Sequence, residues 1–326
     1  MPFDFRYWQW LFKANPAGSG YVWLAEDDGI LTGQYAIIPT RMQVQGKPIR
    51  CAQALGAMTR PSYRKQKIFT KLAQAVFEAT GSGEVDLVYG FPNDRSAHGH
   101  LKHLDFFVLE NLITWVRPLD IAGILNVNIG SQVISKVLGK SFQAIFNTFY
   151  SRHIGSDTNV RIESTSEFPN EVDILFRACA PKFQNLVIRD HQYLKWRYED
   201  HPAYAYRIFL GYRGNALQGY CVCGSTIRKG IKIGLIVDLF TDPDDHQMVT
   251  DLIRCAVRHM EAEKMMLGAC ILTSASPFLN PLKSQGFFFP SRRFPYILRI
   301  NSNELDPSSL RNVKDWHITF GDADFV

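Results

Sequence analysis

The feature that most limits how this chain can fold is a pattern that it contains twice. YVWLAEDDGILTGQYAI, from Tyr21, and YRIFLGYRGNALQGYCV, from Tyr206, both read as strand, tight turn, strand. Their turns, Asp27-Asp28-Gly29 and Arg213-Gly214-Asn215, supply residues that tolerate positive φ. Further along, Met58-Thr59-Arg60-Pro61 has a partner in Phe240-Thr241-Asp242-Pro243, and each Thr-x-Pro ends an apolar strand ahead of a helical pattern. The first helix places Ile68, Phe69, Leu72, Ala73, Val76 and Phe77 on one face, and the second does so with Val249, Leu252, Ile253, Ala256, Val257 and Met260. Strands follow at Val85–Gly90 and Met265–Leu272, and then LKHLDFF from Leu101 matches LKSQGFF from Leu282. Four landmarks recurring in one order at nearly constant offset point to a duplicated unit.

The pattern predicts a mixed α/β fold of two tandem units, each a mostly antiparallel twisted sheet flanked by helices. Their limits are set at residues 1–118 and 156–300, with a helical linker over 119–155 and a tail over 301–326. A chain of 326 residues suits two domains, and at 46% hydrophobic and 21% charged it can bury a core without staples. The six cysteines are scattered. Cys221 and Cys223 share a sheet face, and all read as reduced thiols of a cytoplasmic protein. The N-terminus carries an early acid and no signal-like apolar stretch. The most apolar region, Ile121 to Tyr150, is broken by Asn126, Asn128, Ser131, Gln132, Ser135 and Lys136, so no membrane span is expected.

The stretch RPSYRKQKIFTKL, Arg60 to Leu72, places basic residues at the mouth of the first helix, where the helix dipole repels cations. A strand, a turn and free helix amides together make an anion site, and Arg64, Lys65 and Lys67 add charge-assisted contacts to a diphosphate. The second copy has Asp242-Pro243-Asp244-Asp245-His246 in that place. Its carboxylates cap a helix and repel phosphate. Only the first copy is therefore expected to hold a phosphorylated ligand. The net charge of +5 permits a small anionic ligand and does not argue for nucleic acid.

With its hairpin, strand, basic turn, helix, strand, Asn-containing loop, short helix and final strand, the chain resembles the GNAT superfamily of acyl-CoA-dependent N-acyltransferases. Arg64-Lys65-Gln66-Lys67-Ile68-Phe69 stands where that family carries Arg/Gln-x-x-Gly-x-Gly/Ala, and the helix Asp94–Leu104 with Asp105-Phe106 is similar to its second signature. The segments TRPSYRKQKIFTKL, YLKWRYEDHPAYAY and the terminal Trp316 to Asp324 are similar to tandem GNAT proteins of bacterial surface polysaccharide synthesis. The resemblance implies acetyl-CoA or another acyl-CoA as co-substrate and no metal. It implies cofactor contacts at Met58, Thr59, Arg64, Lys65, Gln66, Lys67, Ile68, Phe69, Asn93 and Ser96. The sequence departs from the family at Lys67, where the motif has glycine, at Asp105 in the "GF" signature, and at Leu101, where a general-acid tyrosine falls.

Acyl transfer to an amine needs a base, a donor to the developing oxyanion and stabilisation of the leaving thiolate. The resemblance implies a backbone donor near Ala57, Met58 or Thr59. Candidate bases are Tyr63, His98, His100, Asp105, Asp322 and Asp324, with Tyr63, His100, Asp105 and Asp324 placed first. The Asp322-Ala323-Asp324 tail either docks between the units or frays. His98-Gly99-His100 with His103 lacks the carboxylate that would complete a metal motif. Trp196-Arg197-Tyr198 reads either as a sugar-stacking group or as packing at a helix end.

The expected function is acyl transfer from acyl-CoA to a primary amine of a small molecule, an amino sugar among the candidates. Two alternatives stand beside it. One is a non-catalytic GNAT-like binding protein. The other is an aminoacyl-tRNA-dependent transferase of the peptidoglycan cross-bridge type, which usually carries a coiled-coil arm that this sequence lacks.

Overall fold

The computed structural model describes residues 4–81, 83–129 and 159–324. The first unit runs α1 (Phe5–Phe12), β1 (Tyr21–Asp27), β2 (Ile30–Val44), β3 (Lys47–Thr59), α2 (Ile68–Thr80), β4 (Leu87–Gly90), α3 (Asp94–His103) and β5 (Phe107–Pro118). After α4 (Ile121–Ile129), the chain resumes with β6 (Val160–Thr165), α5 (Val172–Cys179), β7 (Leu186–Val187) and α6 (His191–Leu194), which continues into a π-helical turn, Lys195–Glu199. The second unit follows as β8 (Arg207–Arg213), β9 (Ala216–Arg228), β10 (Ile231–Thr241), α7 (His246–Ala262), β11 (Leu267–Leu272), α8 (Leu279–Ser284) and β12 (Phe289–Ile300). The linker predicted over 119–155 is helical as far as Ile129, while its remainder and the limit at residue 156 lie outside the described residues.

Local chemistry accounts for the elements. Asp28 and Gly29 take positive φ and close the first hairpin, with Asp27 paired to Ile30. Leu72, Ala73, Val76 and Phe77 of α2 bury against Tyr35 and Ile37 of β2. In α7 every apolar position from Val249 to Met260 that the 3.6-residue period selects is buried. Asn93 caps α3 by accepting from the amides of Arg95 and Ser96.

The strands form one sheet in the order β1-β2-β3-β4-β12-β5-β11-β10-β9-β8-β6, with β7 on β2. The pairing crosses between the units. β5, at the end of the first, lies antiparallel to β11 of the second, and β12, at the end of the second, lies antiparallel to β4 of the first. β5 and β12 also pair with each other, so the two closing strands meet at the centre of a pseudo-twofold arrangement. The exchange covers the edge that each parallel β3–β4 or β10–β11 pair would otherwise leave open. The fold is thus two GNAT-like units in tandem, joined through their last strands.

Candidate active site

The basic turn is built on strained backbone. β3 ends at Thr59, Pro61–Tyr63 form a single 3-10 turn, and Arg64 is extended. Lys65 and Lys67 then take left-handed φ of 68° and 62°. For a side chain with a Cβ each such residue costs about 1–2 kcal/mol. Lysine at the position of the motif glycine therefore keeps the conformation that glycine takes freely. Lys67 is the N-cap of α2, no side chain caps the helix, and the first helical bond runs from Lys71 N–H to Lys67 O. Among the described residues no carboxylate pairs with Arg64, Lys65 or Lys67. Gly33 lets this helix end sit close to β2, since a Cβ there would lie 2.5 Å from Ile68 Cγ2.

Beside this turn the sheet opens. β3 and β4 pair in parallel from Cys51–Leu87 to Ala54–Gly90 and then part. Where they part, β3 carries a bulge. Its register against β2 slips between Gln34 and Ala36, Gly56 has φ 62°, and Gln34 Nε2 donates to the Gly56 carbonyl at 3.1 Å. A cleft of about 140 Å³ lies here, bordered by Leu55, Gly56, Ala57, Asn93, Ser96 and Asp324. The structure brings Asn93, Ser96 and Ala57 to the cleft. Met58 and Thr59 instead pair with Gln34 and Gly33 in the ladder, so the amides bordering the cleft lie slightly earlier in β3 than the resemblance implied. Gln66 is exposed beside the lysines. Ile68 and Phe69 face inward, with Phe69 edge-on to Tyr35 and His100 at 5.6 and 5.1 Å.

The tail docks. Trp316, His317, Thr319 and Asp322 are buried, and Arg189, itself fully buried, joins Asp238 of β10 to Asp322 at 3.1 and 2.9 Å. Burial alone would raise the Asp238 carboxyl, but Arg189 overrides it and holds the group below the usual carboxylate range. Asp322 is raised by burial, which Arg189 offsets only in part. Arg197, in the π-helical turn, donates to the carbonyls of Gly321 and Ala323 at 3.0 and 2.9 Å. These anchors deliver the next residue, Asp324, to the cleft. Its side chain keeps an open face to solvent, yet the surrounding protein raises its pKa, against the pull of its own amide and of Arg197. Asp324 also borders a narrow recess of about 20 Å³, lined among others by Tyr7, Trp10, Gln53, Tyr89 and His201. Asp324 thus borders both spaces.

The remaining candidates stand elsewhere. Tyr63 donates to Asp27 Oδ2 at 3.0 Å and ties the basic turn to the first hairpin. His100 borders the cleft but is buried, and both ring nitrogens are engaged, Nδ1 with Ser96 O at 2.8 Å and Nε2 with the Tyr35 hydroxyl at 3.0 Å. Burial lowers its pKa, so the ring is neutral with no lone pair left for a substrate proton. Asp105 occupies the turn after α3 at φ 57° and borders neither space. His98 is exposed on α3, and among the described residues no group of three or more His, Cys, Asp or Glu side chains could hold a metal. Asp322 is an anchor. Trp196 stacks on Trp10 with centroids 4.8 Å apart, and Tyr198 donates to Asp238, so that triplet packs and docks the tail.

The second copy lacks these openings. Asp245 caps α7 by accepting from Met248 N–H and pairs with Arg213, and Lys182 bridges Asp242 and Asp244. Three residues before its Thr, where the first copy has Gly56, stands Asp238, the anchor of the tail. Gly56, Arg189 and Asp238 were not singled out from sequence, and Arg197 was read only as part of the Trp196–Tyr198 triplet and not as an anchor of the tail. Of these only Gly56 left a signal, as a lone glycine within a strand.

Residues 3–101 match the family model described as an acetyltransferase (GNAT) domain. No curated protein sequence matches the chain. Among solved structures it is similar to a GCN5-related N-acetyltransferase from Anabaena variabilis, at 13% identity and TM-score 0.60, covering 86% of this chain and 63% of that one. It is similar to a probable N-acyltransferase from Enterococcus faecalis, at 12% identity and TM-score 0.60, covering 86% and 62%. It is also similar to Saccharomyces cerevisiae N-myristoyltransferase with bound myristoyl-CoA, at 14% identity and TM-score 0.61, covering 96% and 78%. The chain spans less than two thirds of the first two. At these identities the likeness shows a common fold.

Proposed function

We propose that this chain is an N-acyltransferase that holds acyl-CoA, acetyl-CoA being the simplest donor, in its first unit and passes the acyl group to a primary amine. The observation that carries the reading is Asp324, a carboxylate of raised pKa bordering both the cleft and the recess. The basic turn suits the donor's diphosphate, which the uncapped amides of α2, with Arg64, Lys65 and Lys67, would hold, while the thioester end would reach the cleft, whose lining, among the described residues, contains no residue of that turn. An amide of the Gly56 bulge would face the thioester carbonyl.

In the reaction Asp324 takes a proton from the acceptor ammonium. The amine nitrogen then attacks the thioester carbonyl carbon, and the oxyanion is held by the bulge amide. The C–S bond breaks, and the leaving thiolate takes the second amine proton, giving an amide and free CoA thiol. Burial raises the Asp324 carboxyl above the usual carboxylate range, which makes it a better proton acceptor than an ordinary aspartate. We extend the reading to a cytoplasmic enzyme with a small amine acceptor, amino sugars of surface polysaccharides among the candidates, on the likeness in the basic turn, the Tyr193–Tyr206 segment and the tail.

Acetyl-CoA should raise the melting temperature by mass action. Lys65→Glu with Lys67→Glu should abolish that shift. Asp324→Asn should keep it but release no thiol when amines are supplied. A shift that survives the double charge reversal contradicts the assignment of the donor site. Binding without thiol release across amines favours a non-catalytic binding protein.

A further inference from the structure

Gln53 poses a problem that neither the fold nor the proposed chemistry resolves. It lies in β3 opposite Tyr89 of β4, and the residue is only 5% exposed. Its neighbours Ala52 and Ala54 face the α2 core, so by strand alternation Gln53 points to the opposite face, the one on which the tail docks. There it lines the recess. Its Nε2 is buried with no hydrogen-bond partner, and its carboxamide makes no hydrogen bond to any described residue. Buried amides are almost always satisfied, and a carboxamide left bare costs stability that an apolar side chain of the same size would not.

The surroundings narrow what could satisfy it. Arg197 is committed to the tail carbonyls, and His201 Nδ1 accepts from the amides of Ala203 and Tyr204. The space is about 20 Å³, which holds one or two non-hydrogen atoms of a ligand. A carboxamide end can donate or accept, and which end faces the recess depends on a rotation of the amide. A hydroxyl matches either orientation, because it both donates and accepts. Asp324 and the Tyr7 ring line the same recess, and both attract an ammonium.

We propose that the recess is the acceptor subsite and that it selects primary amines carrying a hydroxyl near the amine, with the amine at Asp324 and the hydroxyl on Gln53. This rests on the acyl-transfer reading for its role, but not for its binding chemistry. Gln53 is a specificity residue: it touches the acceptor and takes no proton. A site built to hydrogen-bond a hydroxyl rejects the analogue lacking it, because the polar group is then left unpaired.

The test compares 2-aminoethanol and 3-aminopropan-1-ol with n-propylamine, all cationic at neutral pH. Binding is followed through tryptophan fluorescence with CoA present, since Trp10 lines the recess, and turnover through thiol release from acetyl-CoA. The wild-type protein should bind a hydroxylated amine at least about tenfold more tightly than n-propylamine. Gln53→Leu should bring that ratio close to one while n-propylamine binds no worse. If Gln53→Leu does not fold, Gln53→Met, closer in shape, should show the same collapse. A wild-type ratio near one, no binding by any of the three amines, or a ratio that survives loss of the carboxamide overturns the proposal. Selective binding without thiol release would leave Gln53 in place and sink the catalytic reading instead. Release that ignores the hydroxyl would do the reverse.

Discussion

The two units share an element order and differ where ligand chemistry would occur. In the first, the helix after the Thr-x-Pro turn starts on a bare, left-handed lysine and the neighbouring strand bulges at a glycine. In the second, the helix is capped by Asp245, and the bulged strand presents Asp238 to Arg189 and the tail. The same backbone plan thus serves an opening in one copy and a lock in the other. The lock matters to the opening, because the Arg189 network fixes the tail that places Asp324 beside the first copy's cleft.

The largest effect expected is on chemistry. Asp324→Asn should lower kcat by about 10²–10⁴-fold, the usual contribution of a general base. In the wild-type protein the rate should fall as pH drops through the raised Asp324 pKa, and the variant should lose that acidic limb. Steady-state thiol release across pH reads both. Should the limb persist in Asp324→Asn, the base lies elsewhere.

Next comes the lock. Arg189→Met leaves Asp238 and Asp322 buried without their cation and should cost about 3–5 kcal/mol in chemical denaturation. If the second copy's network serves the first copy's site, a variant that still folds should also lose thiol release out of proportion to its loss of stability. Equal losses would make Arg189 a packing residue alone.

Histidines of the docked region give a pH signature. His201 is pushed down to about 3 by burial and then by Arg197, and His317 to about 3 by burial and then by Arg189. Both are neutral when folded and take up protons on unfolding below about pH 6.5. Stability from these groups is therefore complete above that value and declines as pH falls from 6.5 towards 3. Urea midpoints at pH 5 should lie below those at pH 7, and His201→Gln should flatten the difference. An unchanged slope would contradict the burial that holds the tail region together.

The smallest effect sharpens the contrast at the turn. Lys67→Gly removes the left-handed strain and should stabilise by about 1 kcal/mol. Its consequence for acetyl-CoA affinity separates the two contributions of this position. Weaker binding would show that the lysine charge matters, and stronger binding that closeness of the backbone does.

The repeat, the hairpins, the inward faces of α2 and α7 and the bare helix start with its acidic counterpart were legible because each is a local pattern of period or charge. The strand exchange was not. β5 and β12 each close their own unit in sequence, and which β4 or β11 edge each covers is decided by three-dimensional closure. The αL geometry of Lys65 and Asp105 was hidden for a related reason, since tertiary packing imposes conformations that their residue types disfavour, whereas at Lys67 the motif glycine it replaces had already pointed to a costly positive φ. Asp324 could be suspected as a polar residue in an aromatic tail. Its delivery by Arg197 and Arg189 could not, because a single buried arginine far away in sequence has no spacing to betray it.

Amide hydrogen exchange with and without CoA tests the central contrast most directly. The account predicts slower exchange at Ile68, Phe69 and Thr70, at the start of α2, on adding CoA, with no change at His246–Val249. Slowing at the start of α7, or at neither helix, would contradict it.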